Sequence, residues 1–369
     1  MGSRRSVPRS TAIERPLIVR CGAFGDMVLV TAMIRELHAR FQLPVDILTS
    51  GAWSEPLLAG QPGVGEILCV RSRKTPYWLA SDQRRAVRRL RERGVGPTWY
   101  CDASAAAYAM LSRAGIDERF VVNVRDHPLR EGEHVIEQWR RLAAVLPPAL
   151  RGRSPPLPAG APAADGSAPV SAIEAGCLLE VPGKHRADLD RWLEARGLAG
   201  APLLLVQIGN KRTMRRGLRR LAANHKYWPL ERWATVLARL HRDCPGHRLL
   251  LLGTGPEWRL NKELIALTRL DRVDNVADDL PIPRLLALLS RAEALITVDS
   301  GPAHAAAALG CPQVVLFGRA SPSLYRPWGA AGAAVTVLTG RVDGVPNMLG
   351  IDAREVTEAW AALPRRQAP

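Results

Sequence analysis

The chain alternates short apolar runs with segments that have helical periodicity. The first run, at residues 16–20, precedes a segment with one apolar stripe at four-residue spacing, formed by Leu29, Met33, Leu37 and Phe41. Further apolar runs lie at residues 45–48, 203–208, 248–253, 294–298 and 313–317. Short strands separated by helices pair in parallel, because each helical crossover returns the chain to the same edge of the sheet. The pattern therefore predicts an α/β fold, with parallel sheets that helices cover on both faces.

The length and one change in composition predict how the chain divides. At 369 residues it exceeds the roughly 100–200 residues of a typical domain. Residues 147–169 are rich in Pro, Ala, Gly and Ser and lack periodicity, as is typical of an exposed linker. We expect an N-terminal α/β domain at residues 16–180 and a C-terminal one at 181–345. A final helix and tail at 346–369 are expected to pack back on the first domain.

Arginine dominates the charge of the chain. Lys and Arg number 51 against 35 Asp and Glu, which gives a net charge of +16. Such an excess predicts an acidic partner, which can be phosphate, nucleic acid or an anionic membrane surface. The charge alone does not choose among these partners.

The cysteines and the first apolar run indicate a compartment. The six cysteines include no Cys-x-x-Cys pair, which argues against a zinc site or a thiol redox motif. The apolar run at residues 17–34 is interrupted by Arg20, Gly22, Gly25 and Asp26, unlike a signal peptide or a membrane span. We therefore expect a cytoplasmic protein with reduced thiols and no bound metal, which can still contact a membrane peripherally.

The segment from Val298 to His304 joins a strand-like run to a small-residue helix through a turn at residues 299–302. Ser300 is a preferred helix-capping residue, and Pro302 suits the first helical turn because no donor is lost there. The first N–H groups of such a helix have no partner within it, and many proteins hold phosphate with them. A capped helix that binds no ligand is the alternative interpretation.

A second acidic turn lies near the N terminus, where Arg20-Cys21-Gly22-Ala23-Phe24-Gly25-Asp26 again connects a strand to a helix. The two glycines make the turn tight. Asp26 therefore lies at the first β-to-α corner, where the ligands of open α/β sheets bind. Two such turns in one chain indicate two halves that face one site.

Five sequence elements occur in order along the chain. They are residues 20–26, His225-Lys226-Tyr227-Trp228-Pro229, Leu252-Gly253-Thr254-Gly255-Pro256, Asp299-Ser300-Gly301-Pro302-Ala303-His304 and Leu316-Phe317-Gly318. Together they resemble glycosyltransferase family 9, the heptosyltransferases of lipopolysaccharide core synthesis. The resemblance implies the GT-B fold, in which a Rossmann-like acceptor domain and a Rossmann-like nucleotide-sugar domain face an interdomain cleft. It also implies an ADP-heptose donor, a lipid-anchored sugar acceptor, inversion at the anomeric carbon, and no metal or other cofactor.

Sugar transfer from a nucleotide diphosphate needs a base for the acceptor hydroxyl and hydrogen-bond donors or positive charge for the departing diphosphate. On the resemblance, Asp26 is the candidate catalytic base, and the candidate diphosphate ligands are Lys226, Ser300 and Gly301. The alternatives are a carboxylate that merely caps a helix at Asp26 and a solvated surface charge at Lys226. We expect the corners at Asp26 and Ser300 to face each other across a gap wide enough for a sugar diphosphate.

Further candidates surround this pair. Asp299 is expected to bind sugar hydroxyls and His304 to face the cleft, and a neutral histidine packed beside Asp299 is the alternative. Gly253, Gly255 and Val276 are weaker candidates for nucleotide binding, because a lone Gly-x-Gly lacks the third glycine of a dinucleotide fingerprint.

The chain differs from the family pattern in three places. One is Val206-Gln207-Ile208-Gly209, where the family usually has His-Pro-Gly. Asp278-Asp279 occupy a turn where a glycine is common, which leaves ADP or another nucleotide open. Residues 210–224 are an arginine-rich insertion, in which Arg212, Arg215 and Arg216 can close over the diphosphate or grip a phosphorylated acceptor. A solvated loop is the other interpretation of this insertion.

A second basic segment lies in the first domain and contains Arg84, Arg85, Arg88, Arg89, Arg91 and Arg93. If the acceptor is an anionic glycolipid at the inner face of the plasma membrane, this helix face would dock the enzyme there. Each basic residue near an anionic surface contributes about 1 kcal/mol. A solvated helix face is the default interpretation.

Three functions remain open from the sequence. We favour heptose transfer from ADP-heptose to a lipopolysaccharide core acceptor. A related transferase that uses another nucleotide sugar, or a soluble metabolite or protein as acceptor, is the second. A non-catalytic nucleic-acid-binding protein is the third, and it is disfavoured because the basic residues lack interleaved aromatics or a known reading motif.

Overall fold

A computed structural model describes residues 14–73, 75–151, 176–210, 226–330 and 332–366. Most of the predicted linker at residues 147–169 lies outside these ranges. So do the candidates Arg212, Arg215 and Arg216.

Helices and short strands alternate through the described residues. The helices are α1 (Phe24–Leu29), α2 (Thr31–Phe41), α3 (Ser54–Leu58), α4 (Ser81–Glu92), α5 (Ala105–Ala114), α6 (Val135–Ala144), α7 (Gly183–Ala195), α8 (Leu230–Asp243), α9 (Gly255–Thr268), α10 (Ile282–Arg291), α11 (Gly301–Ala308), α12 (Pro322–Tyr325) and α13 (Ala353–Ala362). The strands are β1 (Leu17–Val19), β2 (Val45–Ser50), β3 (Val64–Val70), β4 (Thr98–Tyr100), β5 (Val121–Asn123), β6 (Leu203–Gln207), β7 (Arg248–Leu251), β8 (Val273–Asn275), β9 (Ala294–Val298), β10 (Gln313–Phe317), β11 (Val335–Thr339), β12 (Arg341–Val342) and β13 (Val345–Pro346). None of the helices so described is both long and apolar enough to cross a bilayer.

The first sheet is parallel throughout, with the strand order β3-β2-β1-β4-β5. Ile18 on β1 faces a core that contains residues of α2 and α6. Its neighbours Leu17 and Val19 face the core beneath α4 and α5 on the other side. The strand order changes direction between β1 and β4, and ligands of such sheets bind outside the carboxyl ends of the strands at this switch point.

The second sheet is also parallel, with the order β11-β10-β9-β6-β7-β8. Leu205 on β6 faces a core shared with α7, α10 and α11, whereas Leu204 and Val206 face the core beneath α8 and α9. Its switch point lies between β6 and β9. The predicted architecture of parallel sheets with helices on both faces is confirmed.

Residues 176–181 form a strap that hydrogen-bonds to both halves. The side chain of Gln61 pairs with both backbone groups of Glu180, at 2.7 and 3.0 Å. On the other side, the N–H of Cys177 donates to the carbonyl of Trp328 at 2.9 Å. The predicted domain boundary after Glu180 falls within this strap and stays a prediction.

The C-terminal helix α13 packs on the second sheet. It contacts α8, β10 and β11, and its Val356 and Trp360 belong to the apolar core beneath α8. The indole N–H of Trp228 donates to the carbonyl of Ile351, just before α13, at 3.1 Å. The described part of this segment therefore packs on the second sheet, because β10 and β11 have an apolar face beside α8 that the apolar stripe of α13 covers. The assignment of residues 346–369 as a separate segment stays a prediction.

Replacing Trp360 by Ala should lower the free energy of unfolding by about 3–5 kcal/mol, because it removes a large side chain that is 3 % exposed. Urea unfolding of the full chain measures this loss. The control is Leu267→Ala on α9, where the side chain is 51 % exposed and the change should stay within about 0.5 kcal/mol. Equal losses in the two variants would contradict the packing described for α13.

Candidate active site

Asp26 lies in the first turn of α1, at the carboxyl edge of the first sheet. Its carboxylate accepts hydrogen bonds from the backbone N–H of Ala23 at 2.8 Å and from the guanidinium of Arg20 at 3.2 Å. A Cβ on Gly22 would overlap the Asp26 side chain, so only glycine lets this turn close over the carboxylate. Asp26 does cap its helix, as the alternative interpretation held, yet its side chain stays 35 % exposed and keeps room for a further partner.

Arg20 holds the Asp26 carboxylate in place from the end of β1. One guanidinium nitrogen donates to the carbonyl of Cys101 at 2.9 Å, and another reaches Asp26. The guanidinium carbon lies 5.5 Å from the centre of the Trp139 ring, within the range of a cation–π contact. Arg20 is thus oriented from several sides and can orient the carboxylate in turn.

Asp102 completes this corner and was not among the candidate residues predicted from the sequence. Its carboxylate accepts from the backbone N–H of Cys21 at 2.8 Å and from Arg73 at 2.9 Å. Asp102 is 3 % exposed and lies just beyond β4, beside the switch point. The available signal was a carboxylate directly after a strand-like run, the same signal that singled out Asp299.

Lys226 and Asp299 form a largely buried ion pair at the second corner. The ammonium group of Lys226 donates to Oδ2 of Asp299 at 2.5 Å and to the Asp299 carbonyl at 3.1 Å. The side chains are 18 % and 9 % exposed. Lys226 is therefore not a solvated surface charge, which was the alternative left open by the sequence.

Ser300 occupies the N-cap position of α11 without capping it. Its hydroxyl donates to Oε1 of Gln207 at 3.0 Å and lies 3.2 Å from the hydroxyl of Thr297. The capping role expected for Ser300 is wrong, because its hydroxyl is turned inward to β6 and β9. The first-turn N–H groups of α11 are consequently not covered by this side chain.

The two corners face each other and touch. A Cβ on Gly301 would lie 2.5 Å from Cδ1 of Phe24, and a Cβ on Gly25 would lie 2.9 Å from Cδ2 of His304. Larger residues do not fit at either glycine, because the amino ends of α1 and α11 are pressed together. The expected gap is therefore absent between these residues. A ligand of these corners has to lie beside this contact and cannot pass through it.

His304 is 7 % exposed at the contact, and its Nδ1 has no hydrogen-bond partner among the described residues. Burial lowers the pKa of His304 to about 4. The charges of Asp299 and Asp26 oppose this shift, whereas His134 and Lys226 add to it. His304 is thus neutral at pH 7, and the candidate acidic and basic groups of both corners lie close enough to act on it.

His134 links the two halves and gave no signal in the sequence. Its Nδ1 accepts from the backbone N–H of Ile136 at 3.1 Å, so the proton sits on Nε2, which donates to the carbonyl of Arg326 at 3.0 Å. Burial lowers the pKa of His134. Histidine is not a preferred helix-capping residue, so the local sequence gave no reason to single out His134. Its partner Arg326 lies 192 residues away, and a local pattern cannot predict such a contact.

The Gly253-Thr254-Gly255 turn forms the corner between β7 and α9. Glu257 accepts from the N–H of Thr254 at 2.9 Å and from its hydroxyl at 2.8 Å, which makes a capping box. Burial raises the pKa of Glu257. A Cβ on Gly253 would crowd Glu257 and Ala277, whereas the space beside Gly255 is open. Gly253 therefore serves packing, whereas Gly255 faces open space at the surface.

The neighbouring turn has a structural role. The carboxylate of Asp279 accepts from the indole of Trp192 at 2.6 Å, from Arg196 at 2.8 Å and from Arg284 at 2.9 Å. These bonds join the turn to α7 and α10, which explains the aspartate without any contact to a nucleotide. The side chain of Val276 is fully buried in the core, so in this structure it presents no surface to a ligand.

The lowered pKa of His304 predicts a pH dependence of stability. An unfolded histidine binds its proton near pH 6.5, whereas His304 in the folded chain does so only near pH 4. Stability should therefore be fully present above pH 6.5 and fall as the pH drops toward 4, by at most about 1.4 kcal/mol per pH unit from this group.

Urea unfolding of the parent and of His304→Gln between pH 4 and 7.5 measures this loss of stability. The free energy of unfolding should vary less with pH in the variant than in the parent. Thr235→Ala, at an exposed non-titrating position on α8, is the control and should keep the parent's slope. Parallel profiles for the parent and His304→Gln would contradict the assignment of a buried neutral ring.

Solved structures of heptosyltransferases are similar to this one. ADP-heptose lipopolysaccharide heptosyltransferase II of E. coli matches with a TM-score of 0.69 and 20 % identity, over 94 % of this chain and 98 % of that one. A glycosyltransferase family 9 protein of Veillonella parvula matches with a TM-score of 0.72 and 16 % identity, over 94 % and 96 %. E. coli heptosyltransferase WaaC with ADP matches with a TM-score of 0.63 and 18 % identity, over 94 % and 99 %. These likenesses confirm the predicted GT-B fold.

Sequence comparisons agree with the fold. Residues 219–341 match the family model described as glycosyltransferase family 9 (heptosyltransferase). Lipopolysaccharide heptosyltransferase 2 of Salmonella typhimurium is 27 % identical over 118 residues, which are 31 % of this chain and 33 % of the relative. Lipopolysaccharide heptosyltransferase 3 of E. coli is 32 % identical over 106 residues, 28 % of this chain and 30 % of the relative. The matched segments thus span about a third of these curated relatives. Over this third of the chain the sequence is thus similar to glycosyltransferase family 9, the family that its five sequence elements resemble, and the fold is that of solved heptosyltransferases.

Proposed function

We propose that this protein is an inverting, metal-independent glycosyltransferase that moves a heptose from ADP-heptose to an acceptor of the lipopolysaccharide core. The names of similar proteins support the substrates: the curated relatives are lipopolysaccharide heptosyltransferases, and WaaC was solved with ADP and with ADP-2-deoxy-2-fluoro heptose. One observation carries the proposal. Asp26 lies at the switch point of the first sheet and the Lys226–Asp299 pair at that of the second, and the two corners meet where Gly25 packs against His304.

In the proposed reaction the acceptor hydroxyl oxygen attacks the anomeric carbon on the face opposite the diphosphate. Asp26 takes the hydroxyl proton as the new C–O bond forms. The bond between the anomeric carbon and the phosphate oxygen breaks, and its electron pair leaves with ADP. Attack from the opposite face inverts the anomeric configuration.

Arg20 positions Asp26 for this step. The carboxylate already accepts from Arg20 and from the N–H of Ala23, and its exposed part is free to accept the acceptor hydroxyl. A base held by fixed donors loses little entropy when the substrate arrives, which is the benefit of preorganisation.

The diphosphate is proposed to bind beside the amino end of α11. Lys226 and the first-turn N–H groups from Gly301 onward would stabilise the charge that grows on the leaving phosphate oxygen. Lys226 is held by Asp299 until then, and an arriving diphosphate would share the ammonium group. Asp299 would then accept hydrogen bonds from heptose hydroxyls, with neutral His304 as a further hydrogen-bonding neighbour.

The nucleotide is proposed to lie along the carboxyl edge of β6 and β7, over the open side of Gly255. Asp279 is committed to α7 and α10, so it offers no argument against ADP. Glu257 stands at this corner, and the Cβ of any residue at Gly209 would lie 3.3 Å from its Oε1. We propose that Gly209 and Gly255 keep this edge open for the ribose and base.

Replacing Asp26 by Asn should cut turnover of ADP-heptose by roughly 10²- to 10⁴-fold, because the amide cannot take the acceptor proton. The amide oxygen can still accept from Ala23, so the helix cap and the affinity for ADP should persist. Initial rates with a lipopolysaccharide core acceptor, with and without EDTA, measure the effect and the independence from metal.

The matched control is Asp352→Asn, which alters a capping carboxylate at the start of α13, where Asp352 accepts from the N–H of Arg354. This variant should keep the parent's rate. Asp26→Asn with the turnover of the parent would leave Asp26 as a cap alone and refute its role as base.

Replacing Lys226 by Ala should weaken ADP binding about 10- to 150-fold, which corresponds to losing a charged hydrogen bond of about 1.5–3 kcal/mol. Calorimetry with ADP measures it, and Lys184→Ala on the exposed face of α7 is the control. Because Lys226→Ala leaves Asp299 without its ammonium partner, Asp299→Asn is the second variant. It should keep ADP affinity, since Lys226 remains. Unchanged affinity in Lys226→Ala would rule out the phosphate role.

A further inference from the structure

Trp78 and Leu79 expose large apolar side chains just before α4. Their exposed fractions are 72 % and 59 %, the two largest among the exposed large apolar residues that the structure describes. Adjacent exposed apolar side chains with a polar rim are candidate contact sites, whereas apolar residues scattered singly over a surface need no explanation. We call these two residues, together with Arg84, Arg85 and Arg88 of α4, the docking surface.

The turn that carries this pair is firmly built. The N–H of Leu79 donates to the carbonyl of Pro76 at 2.9 Å, and Arg84 donates to the carbonyl of Trp78 at 2.5 Å. Gln83, which is 3 % exposed, reaches back into the preceding loop and donates to two of its carbonyls, at 2.8 and 2.9 Å. The apolar side chains are therefore held outward by the fold.

The adjacent face of α4 carries positive charge that is weakly compensated. The helix buries Gln83, Ala86, Val87 and Leu90, which turns Arg84, Arg85 and Arg88 to solvent. Within the described part of the chain, Arg85 makes no ion pair. Arg88 lies 3.8 Å from Glu92 with both side chains largely exposed, and such a pair contributes little. The arginines are thus available to an external anion.

The docking surface shares an edge with the candidate acceptor corner. The loop at residues 71–80 leaves the carboxyl end of β3, on the edge of the parallel sheet where Asp26 follows β1. Arg73 in this loop donates to Asp102, which also accepts from the N–H of Cys21. Hydrogen bonds made by described residues of this loop therefore connect the exposed turn to the corner that would receive the acceptor.

We propose that the docking surface binds the surface of an anionic phospholipid bilayer. Trp78 and Leu79 enter the boundary between headgroups and acyl chains, where tryptophan is favoured, and Arg85 and Arg88 pair with lipid phosphates. The net charge of +16 favours the same partner. The choice of a membrane-anchored acceptor rests on the proposed function, whereas binding to the bilayer does not need the reaction.

Two features favour a bilayer over nucleic acid. Nucleic-acid surfaces interleave several aromatics with basic residues so that successive bases can stack. Here one aromatic stands beside an aliphatic residue at the end of a helix, and the arginines follow on one stripe of α4. This separation of an apolar tip from a basic flank suits the layered chemistry of a lipid interface.

Vesicle flotation with the full chain tests the proposal, without acceptor or nucleotide. The parent should float with vesicles of phosphatidylethanolamine and phosphatidylglycerol and stay behind with pure phosphatidylcholine. Arg85→Gln with Arg88→Gln should weaken binding roughly 30-fold, since each basic residue contributes about fivefold near an anionic surface. Trp78→Ser with Leu79→Ser should weaken it about tenfold or more.

The matched control makes the same kinds of substitution away from the docking surface. It combines Leu267→Ser on α9 with Arg354→Gln on α13, two exposed positions in the second half of the chain. This variant should bind like the parent. Trp78→Phe should keep binding but lose the part of the tryptophan fluorescence that brominated lipids quench. Folding of every variant is checked by its urea midpoint.

Several outcomes would overturn the proposal: no flotation with anionic vesicles, equal losses in the control variant, or quenching that survives Trp78→Phe. Preferential binding of single-stranded DNA that the same substitutions abolish would assign the surface to nucleic acid instead.

Activity on a soluble, lipid-free core acceptor separates the two proposals. The docking variants should keep the parent's rate on that acceptor and show a raised KM for the acceptor embedded in vesicles. Soluble activity without vesicle binding would refute the docking surface and leave the transferase standing. Vesicle binding without transfer to any core acceptor would refute the transferase proposal and leave the docking surface standing.

Discussion

The contact between the amino ends of α1 and α11 is the constraint on which the rest of the site depends. Gly25 and Gly301 bring the two helix starts together, because neither position has room for a Cβ. This close approach carries Asp26 from the first sheet and Asp299 from the second to one place. It also decides where a substrate can lie, since the helices touch and leave ligand space only at the sides of the contact.

Burial at this contact controls the charges around it. His304 is neutral because it is enclosed between the two helix ends, and His134 is neutral while it joins α6 to the segment after α12. Lys226 is paired with Asp299 in the same region. A largely buried ion pair contributes little net stability. Its value here lies in holding an ammonium group ready beside the amino end of a helix.

The same edge of the first sheet carries both the corner at Asp26 and the exposed turn before α4. The carboxyl ends of parallel strands lie at one edge of a sheet. Asp26, Asp102 and the loop before α4 each follow such a strand end, so the parallel pairing alone brings them to the same edge. The exposed Trp78 belongs to this edge as well. The corner at Asp26, which is proposed to receive the acceptor, and the proposed membrane contact therefore lie on one edge of the first sheet.

The sequence by itself determined the parallel α/β class and the positions of Asp26 and Asp299 at strand ends, because periodicity and turn chemistry act over a few residues. It could not determine the inward turn of the Ser300 hydroxyl, the place of α13 on the second sheet, or the bond from His134 to Arg326. Nor could it show that Asp279 serves α7 and α10. Only the tertiary structure decided these, because each depends on which distant segments share a buried boundary, and local pattern carries no information about that.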